Sequence, residues 1–152
     1  MDTATIGLAS AEATEAVGRR VAEVLRAGDV LTLEGGLGAG KTTLARGLLR
    51  GLGFADDAPS PTFAILQGYE PPEVRLPLAH VDLYRIEEPG EIEELGLDEW
   101  LEGGALVIEW PDRLDGRYGQ IALGIRLDVM ADGTRHLTAR LPKSWEARWP
   151  FT

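Results

Sequence analysis

Apolar and polar positions change period several times along the chain, and each change predicts an element. Val17, Val21, Val24 and Leu25 recur at helical spacing behind Ser10, a capping residue type. Residues 11–25 are therefore expected to form an amphipathic helix with those four on its buried stripe. Gly28-Asp29 ends it. Residues 30–34, VLTLE, read as a strand, and residues 42–52 as a second helix, with Gly53 in the place of a C-terminal helix glycine. The proline and aspartate content of ADDAPSPT marks a loop. A strand is expected over 63–69, then a turn at Pro71-Pro72. In LAHVDLYR, residues 78–85, strand alternation puts His80, Asp82 and Tyr84 on one face and Val81 and Leu83 on the other. EEPGEIEELG and LDEWLEGG predict short helical pieces. ALVIEW, residues 105–110, is an unbroken apolar run and suits a strand covered on both faces. IALGIRLDV alternates, and a turn at Asp132-Gly133 joins it to TRHLTARL as a hairpin.

This order of elements is that of an α/β fold. A parallel core is expected, extended by antiparallel strands toward the C-terminal hairpin. The 152 residues fit one domain, 1–152, and no repeat or low-complexity tract divides them. Composition then narrows the chemistry. With no cysteine, disulfides and thiolate-bound zinc are excluded, and with two histidines a histidine-rich metal site is not expected. A net charge of -10 argues against dense contact with nucleic-acid phosphates, so no direct sequence-specific nucleic-acid binding is expected. MDTATIGLAS lacks the flanks of a signal peptide, and no run has the length of a membrane span. A soluble, cytoplasmic protein with no membrane contact is the expectation.

The chemistry concentrates at GGLGAGKTT, residues 35–43, between the first apolar strand run and the second helical run. GGLGAGKT matches G-x-x-x-x-G-K-[ST], with Gly35 first, Gly40 before Lys41, and Thr42 last. Gly38 and Gly40 allow left-handed backbone, so that successive N–H groups turn inward around an anion. The helix that follows adds the positive end of its dipole. Lys41 brings an ammonium to terminal phosphates, and the Thr42 hydroxyl is an oxygen ligand suited to magnesium. Gly35, Gly38, Ala39, Gly40, Lys41, Thr42 and Thr43 form the expected nucleotide-contacting run. A P-loop NTPase-like three-layer fold follows from that reading.

A metal-bound nucleotide also needs an acid. Glu109 closes ALVIE, at the ligand end of a buried parallel strand. Asp82 is its rival or companion and can orient an attacking water. Ser60 and Thr62 in SPTF pair hydroxyls with a stiff proline, which fits either a switch segment that senses the terminal phosphate or an ordinary loop. His80 fits a catalytic base, packing beside Asp82, or a residue that simply fills the sheet face. Arg85 fits a positioning group or a surface ion pair. The acidic run EEPGEIEELGLDE is a solvated face or a docking surface for a basic partner. Trp100, Trp145 and Trp149 carry no assigned role, and the last two lie in a tail that packs or stays mobile.

Taken in order, GGLGAGKTT, SPTF, HVDLYR and VIEWPD resemble the TsaE family, the small ATPases of bacterial threonylcarbamoyladenosine synthesis on tRNA. The resemblance runs from the first helix to about Asp112 and more loosely through the hairpin, and the length fits a complete member. It implies ATP and magnesium as cofactors, hydrolysis that is weak in isolation, and TsaD and TsaB as partners. TsaD transfers the threonylcarbamoyl group to tRNA adenosine, and hydrolysis by the small subunit resets the complex between turnovers. On the same grounds Thr42 and Glu109 match the magnesium positions, Lys41 the phosphate lysine, and Asp82 the acid of H-x-D-x-Y-R. Lys41, Asp82 and Glu109 are thus the implied catalytic set. Ser60 and Thr62 match the switch, Trp110 a tryptophan beside the active site, and Ala11 and Gly133 the contacts to the base. One departure is Gly36, where many members carry an acid. Two other functions stay open: a small-molecule kinase, for which no arginine-rich lid is evident, and a docking module that nucleotide merely stabilises.

Overall fold

The structure, a computed structural model, describes residues 2–36, 38–55 and 65–151. Seven strands form one mixed sheet: β1 (Asp2–Leu8), β2 (Val30–Glu34), β3 (Leu66–Tyr69), β4 (Leu78–Asp82), β5 (Ala105–Glu109), β6 (Leu123–Val129) and β7 (Arg135–Leu141). Their order across the sheet is β1-β7-β6-β2-β5-β4-β3. The centre, β6-β2-β5-β4, is parallel throughout. Antiparallel β7 and β1 extend one side, and antiparallel β3 closes the other. The helices are α1 (Ala11–Val24), α2 (Lys41–Gly51), α3 (Pro89–Glu93), α4 (Leu97–Leu101) and α5 (Lys143–Glu146), with a 3-10 turn at Pro111–Leu114.

Strand alternation sorts the core into two clusters, one on each face. Leu31 and Leu33 of β2 and Val107 of β5 pack with Val17 and Val21 of α1 and Leu44 and Leu48 of α2. Val30, Leu106, Ile108, Ala79 and Val81 face the opposite way, toward Ile92 of α3 and Leu97 of α4. Because both faces are covered, β5 is buried at every position, as its continuous apolar run predicts.

Ser10 caps α1 as expected, its hydroxyl accepting the Ala13 N–H at 3.1 Å. The helix ends at Val24; Val17, Val21 and Leu25 are buried, and Val24 packs at the margin.

Several expectations need correction. The strand expected over 78–85 stops at Asp82, whose carboxylate turns back to accept the Tyr84 N–H at 3.0 Å. Leu83 still enters the core beside Val81, but Tyr84 leaves the sheet and is 53% exposed. The strand expected from residue 121 begins at Leu123, and besides forming the hairpin with β7 it joins the parallel core by pairing with β2. The strand expected over 63–69 is seen as Leu66–Tyr69, its first two residues lying outside the described ones.

Three elements had no counterpart in the sequence reading: β1, the 3-10 turn and α5. In β1, Ala4, Ile6 and Leu8 turn inward while Thr3, Thr5 and Gly7 stay exposed. The tail packs through α5. Trp145 is fully buried, the Arg148 guanidinium lies 4.1 Å from its ring centre, and the same guanidinium makes two bonds to the Asp29 carboxylate at 2.8 and 2.9 Å. Such a bidentate pair fixes geometry as well as charge. Among the described residues no helix is long and apolar enough to cross a membrane.

The contact between α1 and α2 is made largely by backbone. A Cβ on Gly47 would lie 2.1 Å from Glu15 O, and one on Gly18 would lie 2.3 Å from Leu44 O. Alanine for glycine inside a helix gains about 1 kcal/mol of propensity. Here a backbone carbonyl blocks the methyl and cannot swing aside, so overpacking dominates. Gly47→Ala should therefore lower unfolding stability by about 2 kcal/mol. A urea melt checks this, and unchanged or raised stability would refute the close-contact account.

Candidate functional site

The glycine loop links the C-terminal end of β2 to the start of α2. Its backbone needs glycine at three places, with φ of 146° at Gly35, 78° at Gly38 and 107° at Gly40. At Gly35 space is also closed, since a Cβ would lie 2.6 Å from Leu127 O of β6. Gly40 is the N-cap of α2 and offers no side-chain cap. The first-turn amides are thus left for an anion to satisfy. Gly36 differs from its neighbours. It lies outside the left-handed region, and a Cβ there would meet nothing within 4 Å. An acid at this position would fit sterically. Glu34, Asp112 and Asp128 already line a hollow with Gly36 and Trp110, so its absence leaves other carboxylates nearby.

Lys41 opens α2 and is only 6% exposed. Its Nζ donates to Gly35 O at 2.8 Å and sits 4.0 Å from the centre of the Trp110 ring. That ring offers a cation its negative face. Trp110 adopts a left-handed backbone (φ 62°) directly after Glu109, a conformation that disfavours a bulky residue and is held by its surroundings. Tyr84 packs against the same indole, with ring centres 4.9 Å apart.

A buried polar pair bridges β4 and β5. Glu109 is 4% exposed and His80 is 2% exposed, and His80 Nε2 stands 2.7 Å from Glu109 Oε2. Sheet register places Glu109 beside Leu33 of β2 on one side and Asp82 of β4 on the other. Asp82 is partly exposed at the strand end. His80 and Asp82 share a face of β4, as the alternation predicts, and the polar partner of the buried His80 ring is Glu109. Arg85 is exposed.

Thr42 and Thr43 follow Lys41 on the first turn of α2, both half-buried. Thr43 lines a cleft of about 290 Å³ together with Ala11 and Thr14 of α1, Gly38 and Gly40 of the loop, and Gly133 of the β6–β7 turn. Ala11 and Gly133, far apart in sequence, thus meet at one cleft. Ser60 and Thr62 lie outside the described residues. Among the described residues no three His, Cys, Asp or Glu side chains gather as a metal cluster. The Thr42 hydroxyl and Glu109 carboxylate are hard oxygen donors. They fit magnesium, which keeps several waters and takes few protein ligands.

Arg135, the first residue of β7, escaped the sequence reading. It lines the same cleft, donating to Gly38 O at 3.0 Å and Ala39 O at 3.2 Å, and it reaches Gly133 O at 2.7 Å. By engaging the loop carbonyls it ties the glycine loop to the hairpin. The turn that presents it is itself braced, because the Asp132 carboxylate accepts the Thr134 hydroxyl at 2.6 Å and its N–H at 3.0 Å. Those two bonds hold its carboxyl below the ordinary aspartate range. No local pattern marks Arg135, since its partners lie 96 and 97 residues away.

A mixed sheet with a parallel centre, a glycine loop that carries a buried lysine, and a buried carboxylate at the end of the neighbouring strand define the class of protein. Residues 8–137 match the family described as threonylcarbamoyl adenosine biosynthesis protein TsaE, and the chain belongs to that family. Its relatives include the tRNA threonylcarbamoyladenosine biosynthesis protein TsaE of Bacillus subtilis, 42% identical over 128 residues, spanning 84% of this chain and 78% of that protein. The protein of the same name from Treponema pallidum is 38% identical over 130 residues, with 85% and 94% covered. The crystal structure of YdiB from Bacillus subtilis superposes with a TM-score of 0.80 at 31% identity, covering 97% of this chain and 91% of that one.

Removing the tie from hairpin to loop should loosen the loop selectively. Arg135→Ala is expected to speed amide hydrogen exchange at residues 38–40 by roughly tenfold, the scale of losing bonds to a charged donor. Exchange in β2 and β5 should be unaffected; unchanged exchange in the loop would show that Arg135 does not restrain it.

Proposed function

We propose that this chain binds ATP with magnesium and hydrolyses it in support of the threonylcarbamoyl modification of tRNA adenosine, acting with TsaD and TsaB. The observation that carries the reading is the meeting of Lys41 with the glycine loop, while Glu109 closes the adjacent parallel strand in register with Leu33. These features support a reading as a P-loop NTPase, the group to which we assign the fold. The names of the relatives supply the pathway.

In this reading the inward amides of the loop and the N-terminus of α2 cradle the phosphates. Lys41 exchanges its contact with Gly35 O for a terminal phosphate oxygen, and its charge offsets that of the γ-phosphoryl group. Thr42 and Glu109 hold magnesium, which supplies further neutralisation of phosphate charge. Asp82, beside Glu109 at the open end of β4, orients the attacking water. The cleft between Ala11 and Gly133 takes the nucleoside. Ser60 and Thr62 serve as a switch that TsaD and TsaB set in place, which accounts for weak hydrolysis alone and for resetting of the complex. The acidic chain docks on proteins that hold tRNA and does not hold tRNA itself.

Phosphate release from ATP and magnesium tests this. The rate should be low for the chain alone, rise on adding TsaB and TsaD, and fall about a hundredfold or more with Lys41→Ala. No rise with assembled partners would sink the partner-activated reading. A phosphorylated acceptor in place of free phosphate would make the protein a kinase. If Glu109→Ala abolished hydrolysis but kept nucleotide binding and tRNA modification, the protein would be a docking module.

A further inference from the structure

We propose that His80 is a positioning residue for Glu109, fixing the carboxylate so that one oxygen is presented to magnesium; this rests on Glu109 being the metal-binding acid. The two side chains come from adjacent parallel strands. His80 is in register with Val107 and Asp82 with Glu109, so they share a sheet face one step apart along the strand direction. The 2.7 Å separation of Nε2 and Oε2 is at the short end for an N–H donor to a carboxylate, as charge assistance produces.

The second ring nitrogen decides the tautomer. His80 Nδ1 is buried and has no hydrogen-bond partner among the described residues. A proton there would leave a buried donor unmet, whereas a proton on Nε2 is used by Glu109. The ring is therefore the Nε2–H form, with Nε2 donating. An imidazole with one orphaned nitrogen is a poor filler for a buried sheet position, where a leucine would pack without an unmet polar atom. Its bond to Glu109 supplies the reason for a histidine.

The bond has a chemical consequence. Magnesium demands near-octahedral geometry and disfavours a chelating carboxylate. With Oε2 engaged by His80, Glu109 offers its other oxygen singly, and the buried side chain keeps one orientation. Partners of this kind typically tune metal affinity by tenfold to a hundredfold.

The test compares full-length His80→Leu, which removes the donor, with His80→Gln, whose amide nitrogen reaches the place of Nε2. ADP binding is measured by calorimetry, first without metal and then across a magnesium titration. Metal-free ADP affinity should stay within about twofold of wild type in both variants, since the loop is untouched. The magnesium needed for half-maximal tightening should rise roughly tenfold or more in His80→Leu and be largely restored in His80→Gln. Wild-type magnesium dependence in His80→Leu would overturn the proposal. So would an equal loss of metal-free binding in both variants, which marks a purely structural role. Nitrogen NMR of the unsubstituted protein gives an independent readout should the leucine variant not fold: the Nε2–H tautomer is expected, and an Nδ1–H ring would overturn the assignment. A wild-type protein whose ADP binding ignores magnesium would remove the metal reading of Glu109 and this proposal with it, a result distinct from variants that match a magnesium-dependent wild type.

Discussion

The backbone-to-backbone approach of α1 and α2 sets the geometry of the ligand end of the molecule. Gly18 and Gly47 have no side chain at the crossing because the facing carbonyls occupy that space. Gly51 continues the seam against Ala22. Held this closely, the two helices share one apolar layer over Leu31 and Leu33. The start of α1 then forms a wall of the same cleft that the start of α2 borders. Side chains at the crossing would push the helices toward an ordinary 8–10 Å separation or beyond and move that wall outward. A packing constraint along the helix crossing thus shapes the cleft beside the glycine loop.

What could be read from the sequence was local. The glycine loop has a fixed spacing whose physical demands are met residue by residue, so Gly35, Gly38, Gly40 and Lys41 were legible. The apolar run of β5 and the alternation that sets His80 and Asp82 against Val81 and Leu83 were legible for the same reason. Long-range pairing was not. His80 could be placed on a face, but its partner depends on the register of β4 against β5. Arg135 bonds carbonyls with no sequence pattern of their own. Trp145 is buried through a tail whose arginine finds Asp29, 119 residues earlier. β1 alternates with alanine, threonine and glycine among few large apolar residues, a weak signal that pairing with β7 makes decisive.

Charge is distributed in a way that the net value conceals. A chain of -10 places Lys41 and Arg135 at the glycine loop, each bonded to its carbonyls, and Lys41 opens α2. The acidic α3 and α4 cover the opposite face of the sheet from α2. A protein can therefore be strongly acidic overall and still concentrate cationic side chains at one loop.

The strand order also bears on how the chain is made. β1 precedes β7 in the chain by more than a hundred residues, yet among the described residues β7 is its one ladder partner, where Asp2 meets Leu141 and Leu8 meets Arg135. At ordinary elongation speeds the nascent β1 waits on the order of ten seconds for its mate. Throughout that interval it is an unpaired edge, the kind of segment that seeds aggregation. Its exposed threonines and Gly7 interrupt the apolar positions one by one. The weakly apolar composition that made the strand hard to recognise also lowers its propensity to pair with other chains while it waits.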